Sequence, residues 1–258
     1  MDMTTVVRAL ACALALASNG AMGATQDEAT AFRTPVKLVV DEAGRPVEVE
    51  ASSELPAPVR EFVESSVREL KFGPAMLDGQ PMGGTTYVVM GVCAVQRGGD
   101  LVLAADYRGN GPVRADGVPH LMPPRYPAKA IRRGQTGKME VDFVVETDGS
   151  ATLENIDFGG FVRSDEKRTF EAAIRDWVKG MRYLPEQLAG QPVRTRMNTT
   201  VEFIIGGPGP GPDGSFRSPG LETPLKAPAP SPECLAAEGR QPAGLAVSSQ
   251  SLFLLDPG

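Results

Sequence analysis

The chain has 258 residues, enough for one or two domains with a buried core. Its net charge of −6 argues against a nucleic-acid backbone as partner, which demands clustered Lys and Arg. One histidine and three cysteines exclude most zinc sites and leave a histidine-based hydrolase resting on His120 alone, so the composition points away from an enzyme. No metal or small-molecule cofactor is expected.

In chain order, residues 1–23 read as an export signal. Arg8 precedes the apolar run ALACALALA (Ala9 to Ala17), and the small-residue pattern Ala21-Met22-Gly23 offers cleavage after Gly23 or Ala24. Nine apolar residues rise about 14 Å as a helix, short of roughly 30 Å of bilayer hydrocarbon. The alternative is an uncleaved inner-membrane anchor. Export removes Cys12 and leaves Cys93 and Cys234 as a pair in an oxidising compartment. Either they bridge, or Cys93 is a small buried hydrophobe and Cys234 a free thiol.

The mature chain then contains one pattern twice. Leu70-Lys71-Phe72-Gly73-Pro74, continuing to Gly79-Gln80-Pro81, is repeated 111 residues later as Met181-Arg182-Tyr183-Leu184-Pro185, continuing to Gly190-Gln191-Pro192. Upstream, Val36 to Val40 followed by Gly44 matches Val141 to Val145 followed by Gly149. Each copy reads as strand, strand, helix, strand. In the second copy Met139, Val141, Phe143 and Val145 alternate with polar residues, Asp148-Gly149 supplies a hairpin turn, and Leu153 to Phe158 returns as a strand. Ser164 or Asp165 caps a helix with Phe170, Ile174, Trp177, Val178 and Met181 on one face, ended by Pro185, and Arg194 to Ile205 is the third strand. In the first copy Val59, Phe62, Val63, Val67 and Leu70 form the helical stripe, and Thr85 to Val95 and Leu101 to Tyr107 are strands.

The expected fold class is α+β: two tandem units, each a small antiparallel sheet with a helix on one face, at 32–108 and 123–206. Residues 109–122 read as a linker. Residues 207–243 form a disordered tail, because eight prolines and six glycines between Gly206 and Pro232 leave too little apolar area to offset ordering entropy. The last segment, 244–258, is apolar through Val247 and Leu252 to Leu255, and is either a docking strand or an adhesive terminus.

The second unit resembles a known family. Pro124-Arg125-Tyr126-Pro127-Ala128-Lys129-Ala130, then Gly137, the strand to Asp148-Gly149, and an aromatic-x-Pro step after the helix are similar to the C-terminal domain of TonB energy transducers. The resemblance covers about 80 residues, Pro123 to Gly206, with the first unit a diverged copy. It implies a protein- or peptide-binding module that adds an extended segment of an outer-membrane receptor, or of another envelope protein, to a sheet edge. The strand Asn198, Thr199, Thr200, Val201, Glu202 and Phe203 is the expected edge, unless it pairs with the other unit, the Leu245 to Leu255 segment or a second chain; Tyr126-Pro127 either frames it or packs on the sheet. The sequence departs from the family in three ways. The N-terminal helix is short, the sole histidine lies in the linker instead of the membrane helix, and the Pro-rich tract follows the domain instead of preceding it. The expectation is a periplasmic module without its own proton-driven motor. Alternatives are a structural envelope protein whose two units pair with each other, and an anchored transducer. Pairing of two chains is a further arrangement left open.

Other polar groups have simpler explanations. Asp165-Glu166 sits at a helix start and answers the helix dipole. Lys129, Arg132, Arg133 and Lys138 form a solvated basic face, or a contact for acidic lipid or peptidoglycan carboxylates.

Overall fold

The computed structural model describes residues 29–97, 100–159, 164–205, 232–239 and 244–256. The export signal, Cys12 and most of the Pro/Gly-rich tract lie outside these residues. Among the described residues no helix is long and apolar enough to cross a membrane.

The first half comprises β1 (Ala29–Val40), β2 (Pro46–Ala51), α1 (Ala57–Arg68), the short pair β3 (Ala75–Leu77) and β4 (Gln80–Met82), then β5 (Gly84–Arg97) and β6 (Asp100–Gly111). After β7 (Val113–Arg114) and α2 (Ala128–Arg132) come β8 (Gly137–Val145), β9 (Ala151–Asp157), α3 (Ser164–Lys179), β10 (Tyr183–Leu184), β11 (Gln187–Leu188), β12 (Gln191–Pro192) and β13 (Thr195–Phe203). The C-terminal part adds α4 (Pro232–Gly239) and β14 (Val247–Ser249). The molecule is sheet-dominated α+β.

Two sets of elements obey one pairing scheme. In the first, β1 pairs antiparallel with both β5 and β2; in the second, β8 pairs antiparallel with both β13 and β9. The register agrees as well. Val36 faces Ala51 and Val88, while Val141, 105 residues on, faces Ile156 and Thr199. Both hairpins close alike: Gly44 donates to Asp41 and Gly149 to Glu146, each at 2.9 Å.

Both glycines have positive φ, +75° and +79°. A Cβ on Gly44 would lie 1.9 Å from the Phe72 carbonyl oxygen, and one on Gly149 would lie 2.3 Å from that of Tyr183. Glycine is therefore required twice at each turn, by conformation and by close backbone approach. The Phe72 and Tyr183 amides donate back to the Gly44 and Gly149 carbonyls at 3.4 and 2.8 Å. The aromatic-x-Pro step thus straps the end of each helix across its hairpin.

Helix spacing explains each core. Val59, Val63 and Val67 recur every four residues on α1 and are buried against Val36, Leu38, Val88 and Met90. Phe170, Ile174 and Val178 do the same on α3 against Met139, Val141, Phe143 and Val201. Each such side chain contributes about 1.5–3 kcal/mol by leaving water.

Several expectations need correction. The helix expected to run to Pro185 stops at Lys179, where the i−4 ladder gives way to a tighter turn in which the Met181 amide donates to the Val178 carbonyl. The 109–122 stretch is not a bare linker. Its first residues complete β6, Val113–Arg114 pair with β10, Leu121 is buried, and Trp177 Nε1 donates to the Met122 carbonyl at 2.9 Å. The 207–243 segment includes the helix α4, whose Cys234 and Ala237 are buried beside Ala29, Cys93 and Val95.

The halves also differ. The turn at Asp78-Gly79 leaves Leu77 48% exposed, whereas its counterpart at Ala189-Gly190 leaves Leu188 5% exposed. The reason is docking: Gln187 and Leu188 pair with Thr85 and Gly84, so Leu188 joins the first core.

Candidate functional site

β13 is an alternating strand, with Met197, Thr199, Val201 and Phe203 buried and Arg196, Asn198, Thr200 and Glu202 on the other face. Its outward side chains are held by a polar ladder. Asn198 Nδ2 donates to Asp142 Oδ1 at 2.6 Å, Thr200 Oγ1 to Glu140 Oε1 at 3.2 Å, and Arg196 pairs with Glu154 at 2.6 Å.

The main chain matters more for strand addition than these side chains. The Gln250 amide donates to the Arg196 carbonyl at 2.8 Å, so the Arg196 backbone faces away from β8. Backbone direction alternates along an antiparallel strand, which turns Asn198, Thr200 and Glu202 the same way and pairs Thr199, Val201 and Phe203 with β8. One half of this edge is occupied. β14 lies antiparallel on it, with Met197 facing Ser249, Asn198 facing Ser248 and Thr199 facing Val247. Beyond Thr199 the tail leaves the edge: the Leu245 amide donates to the Leu121 carbonyl at 2.8 Å. Among the described residues no strand lies beside Val201 to Phe203 on this side.

Tyr126 and Pro127 stand at this open half. The Tyr126 ring meets Phe203 edge-on at 5.1 Å and Phe170 at 6.5 Å, and its hydroxyl donates to the Gln135 carbonyl at 2.5 Å. Burial raises its phenol pKa. Pro127 starts α2. The structure thus brings Tyr126 to Phe203 at the end of the strand, while Asn198 and Thr199 lie under the tail. Cys93 and Cys234 are joined by a disulfide, Cα to Cα 5.8 Å, across a separation of 141 residues.

Sequence reasoning missed Glu186. This carboxylate is fully buried and accepts from Thr86 Oγ1 at 2.6 Å, Ser251 Oγ at 2.6 Å and Thr195 Oγ1 at 2.9 Å. Asn110 Nδ2 donates to Ser251 Oγ and to the Phe253 carbonyl, both at 2.8 Å, and the Tyr107 hydroxyl donates to Asn110 Oδ1. The first half, the second half and the tail meet at this network. Desolvation, aided by the Glu186 charge, pushes the Tyr107 phenol up to about 12. His120 packs its ring against Gly244, while Lys129, Arg132, Arg133 and Lys138 are all exposed.

β13 thus lies at the edge of an antiparallel sheet that has one helix-covered face, and the tail occupies part of that edge. Residues 122–205 match the family described as the Gram-negative bacterial TonB protein C-terminal. The solution NMR structure of the Pseudomonas aeruginosa TonB CTD is similar at 26% identity over 37% of this chain and 86% of that chain, with a TM-score of 0.27. No curated protein matches the chain.

Proposed function

We propose that this chain is a cell-envelope protein that binds an extended segment of an outer-membrane receptor, or of another envelope protein, by adding it as a strand along β13. The observation that carries this reading is the open end of the edge, where the main-chain groups of Glu202 face no strand among the described residues. We read the two halves as tandem copies of one unit. On that reading the first copy displays the filled state: Val89 to Val92, the counterparts of Thr200 to Phe203, carry β6 as an added antiparallel strand. An incoming peptide would lie on β13 as β6 lies on β5, with main-chain hydrogen bonds for affinity and the Tyr126–Phe203 pair for side-chain selection. The N-terminal segment acts as a cleaved export signal and the module works without its own motor. Intact-mass analysis of periplasmic protein should then show a chain beginning at Ala24 or Thr25.

A specific observation also favours the structural reading. The halves do pair with each other, through β11 on β5 and through Leu188 in the first core. That contact uses a different edge, so a role in joining the units and a role in capturing a strand coexist.

Capture of outer-membrane proteins by the immobilised mature chain tests the proposal. Thr200→Pro removes an outward amide and places a ring on the edge. Capture should be lost in this variant with circular dichroism unchanged; equal capture by a folded variant would exclude this edge as the site.

A further inference from the structure

The segment after α4 behaves as two pieces. Phe253 and Leu255 are built into the first core. Phe253 is fully buried there, Ser251 donates to Glu186, the Gly73 amide donates to the Leu254 carbonyl at 2.7 Å, and the Asp256 amide donates to that of Lys71 at 2.8 Å. Residues 245–250 are different. All are half-buried or exposed, and β14 holds the edge over only three residue pairs, supplemented by the Gln250 amide on Arg196 and by Thr199 Oγ1 donating to the Ala246 carbonyl at 2.7 Å. This is the bonding an incoming strand would make, in the same antiparallel sense. The segment lies outside the family match, which ends at residue 205.

We propose that residues 245–250 are a tethered self-ligand of the β13 edge, which an incoming strand displaces from Thr200 toward Arg196 after first docking on Val201 to Phe203. The inference rests on the strand-addition reading for its consequence, but not for its test. Two anchors keep the self-ligand at high local concentration. On one side Phe253 follows Val247 by six residues; on the other, Cys234 precedes it by thirteen and is bonded to Cys93. The disulfide is the covalent upstream attachment; without it, and with the Glu238 ion pairs to Arg33 and Arg108 also released, the next one through β13 itself is Phe203, 44 residues away. Loop closure scales with the three-halves power of length, so opening the disulfide weakens the self-ligand by up to about sixfold, the bound set when the upstream tether alone holds it. The partner class follows from the occupant: an extended segment with small side chains, matching Ala246-Val247-Ser248-Ser249, running antiparallel to β13.

Amide hydrogen exchange on the full mature chain reads the proposal without any ligand. The Asn198 amide faces the tail and the Val201 amide faces β8. Local release of β14 should let Asn198 exchange faster than Val201 by roughly tenfold or more, since local openings cost less than global unfolding. Opening the disulfide, by a phosphine reductant or by Cys234→Ser, should accelerate Asn198 further, by up to about sixfold relative to Val201. Equal rates for Asn198 and Val201 in the oxidised chain would show that β14 is an integral strand, and would overturn the proposal. Equal acceleration of both amides on opening the disulfide would overturn the tethering. Ser248→Pro gives an independent check, because it removes the amide opposite Asn198 at an exposed position. It should abolish Asn198 protection while Val201 keeps its own; persistent Asn198 protection would contradict the assignment. If the exchange pattern appears and capture of outer-membrane proteins fails, the self-ligand stands and the receptor reading falls.

Discussion

Glu186 is held inside the molecule by three hydroxyl donors, one from each half and one from the tail. Glu186→Gln keeps the volume but replaces one acceptor oxygen with a donor, leaving a hydroxyl unmatched. Equilibrium urea unfolding should show a loss of about 1–3 kcal/mol. The same network sets an alkaline limit. Tyrosine ionises near 10 in an unfolded chain and Tyr107 at about 12 in the folded one, so between those values the unfolded state holds fewer protons. Stability is full below about pH 10 and falls as pH rises toward 12, and Tyr107→Phe should make that fall shallower. None of this was legible in the sequence. Glu186 occupies a variable position of the repeated motif, its counterpart being the buried Ala75. Its partners Thr86 and Ser251 are 100 and 65 residues away. By contrast Gly149 was legible, because Asp148-Gly149 between alternating strands announces a turn. Its second role, clearance for the Tyr183 carbonyl, needed the structure. Gly149→Ala meets both constraints and should cost about 2–4 kcal/mol in the same unfolding assay.

Among the elements, β13 shows how far periodicity reaches. Alternation gave its span as Arg194 to Ile205, and the observed strand is Thr195–Phe203. Alternation also told which side chains enter the core. Which backbone groups face outward depends on the neighbour, and only the Gln250–Arg196 bond reveals it. That parity separates two substitutions. Thr200→Pro loses an outward amide and should leave helix content near wild type. Val201→Pro loses a rung to β8 beside a buried side chain and should cost about 3 kcal/mol or more, with loss of helical signal on mild heating. The equal registers of β1 with β5 and β8 with β13 were foreshadowed by the two sequence offsets. The difference between 105 and 111 falls between the paired strands, where α3 and its approach are longer than α1 and its own. Proline and glycine content obscured α4, whose Cys234 and Ala237 pack on β1 and β5 beside the disulfide and the Glu238 ion pairs to Arg33 and Arg108.

At the scale of the molecule, the tail closes the chain on itself. It runs from Cys234 on the first half, past Leu121, along β13, and back into the first core at Phe253. The disulfide closes a loop of 141 residues, and reduction should lower stability by roughly 4–5 kcal/mol in the chain-entropy view, measured by urea unfolding with and without reductant. The sequence offered the pair of cysteines and the apolar terminus separately. It had no means to show that they restrain one segment across the β13 edge, since that depends on how the halves dock. The central claim is that this edge receives a foreign strand. Its most direct test is amide mapping of the isotope-labelled mature chain, titrated with a synthetic peptide from the periplasmic segment of an outer-membrane receptor that the chain captures. The account predicts new exchange protection at the Glu202 amide, with Thr199 and Val201 unchanged. Saturable binding that leaves Glu202 unprotected and protects the outer edge of β6 or β9 instead would contradict it.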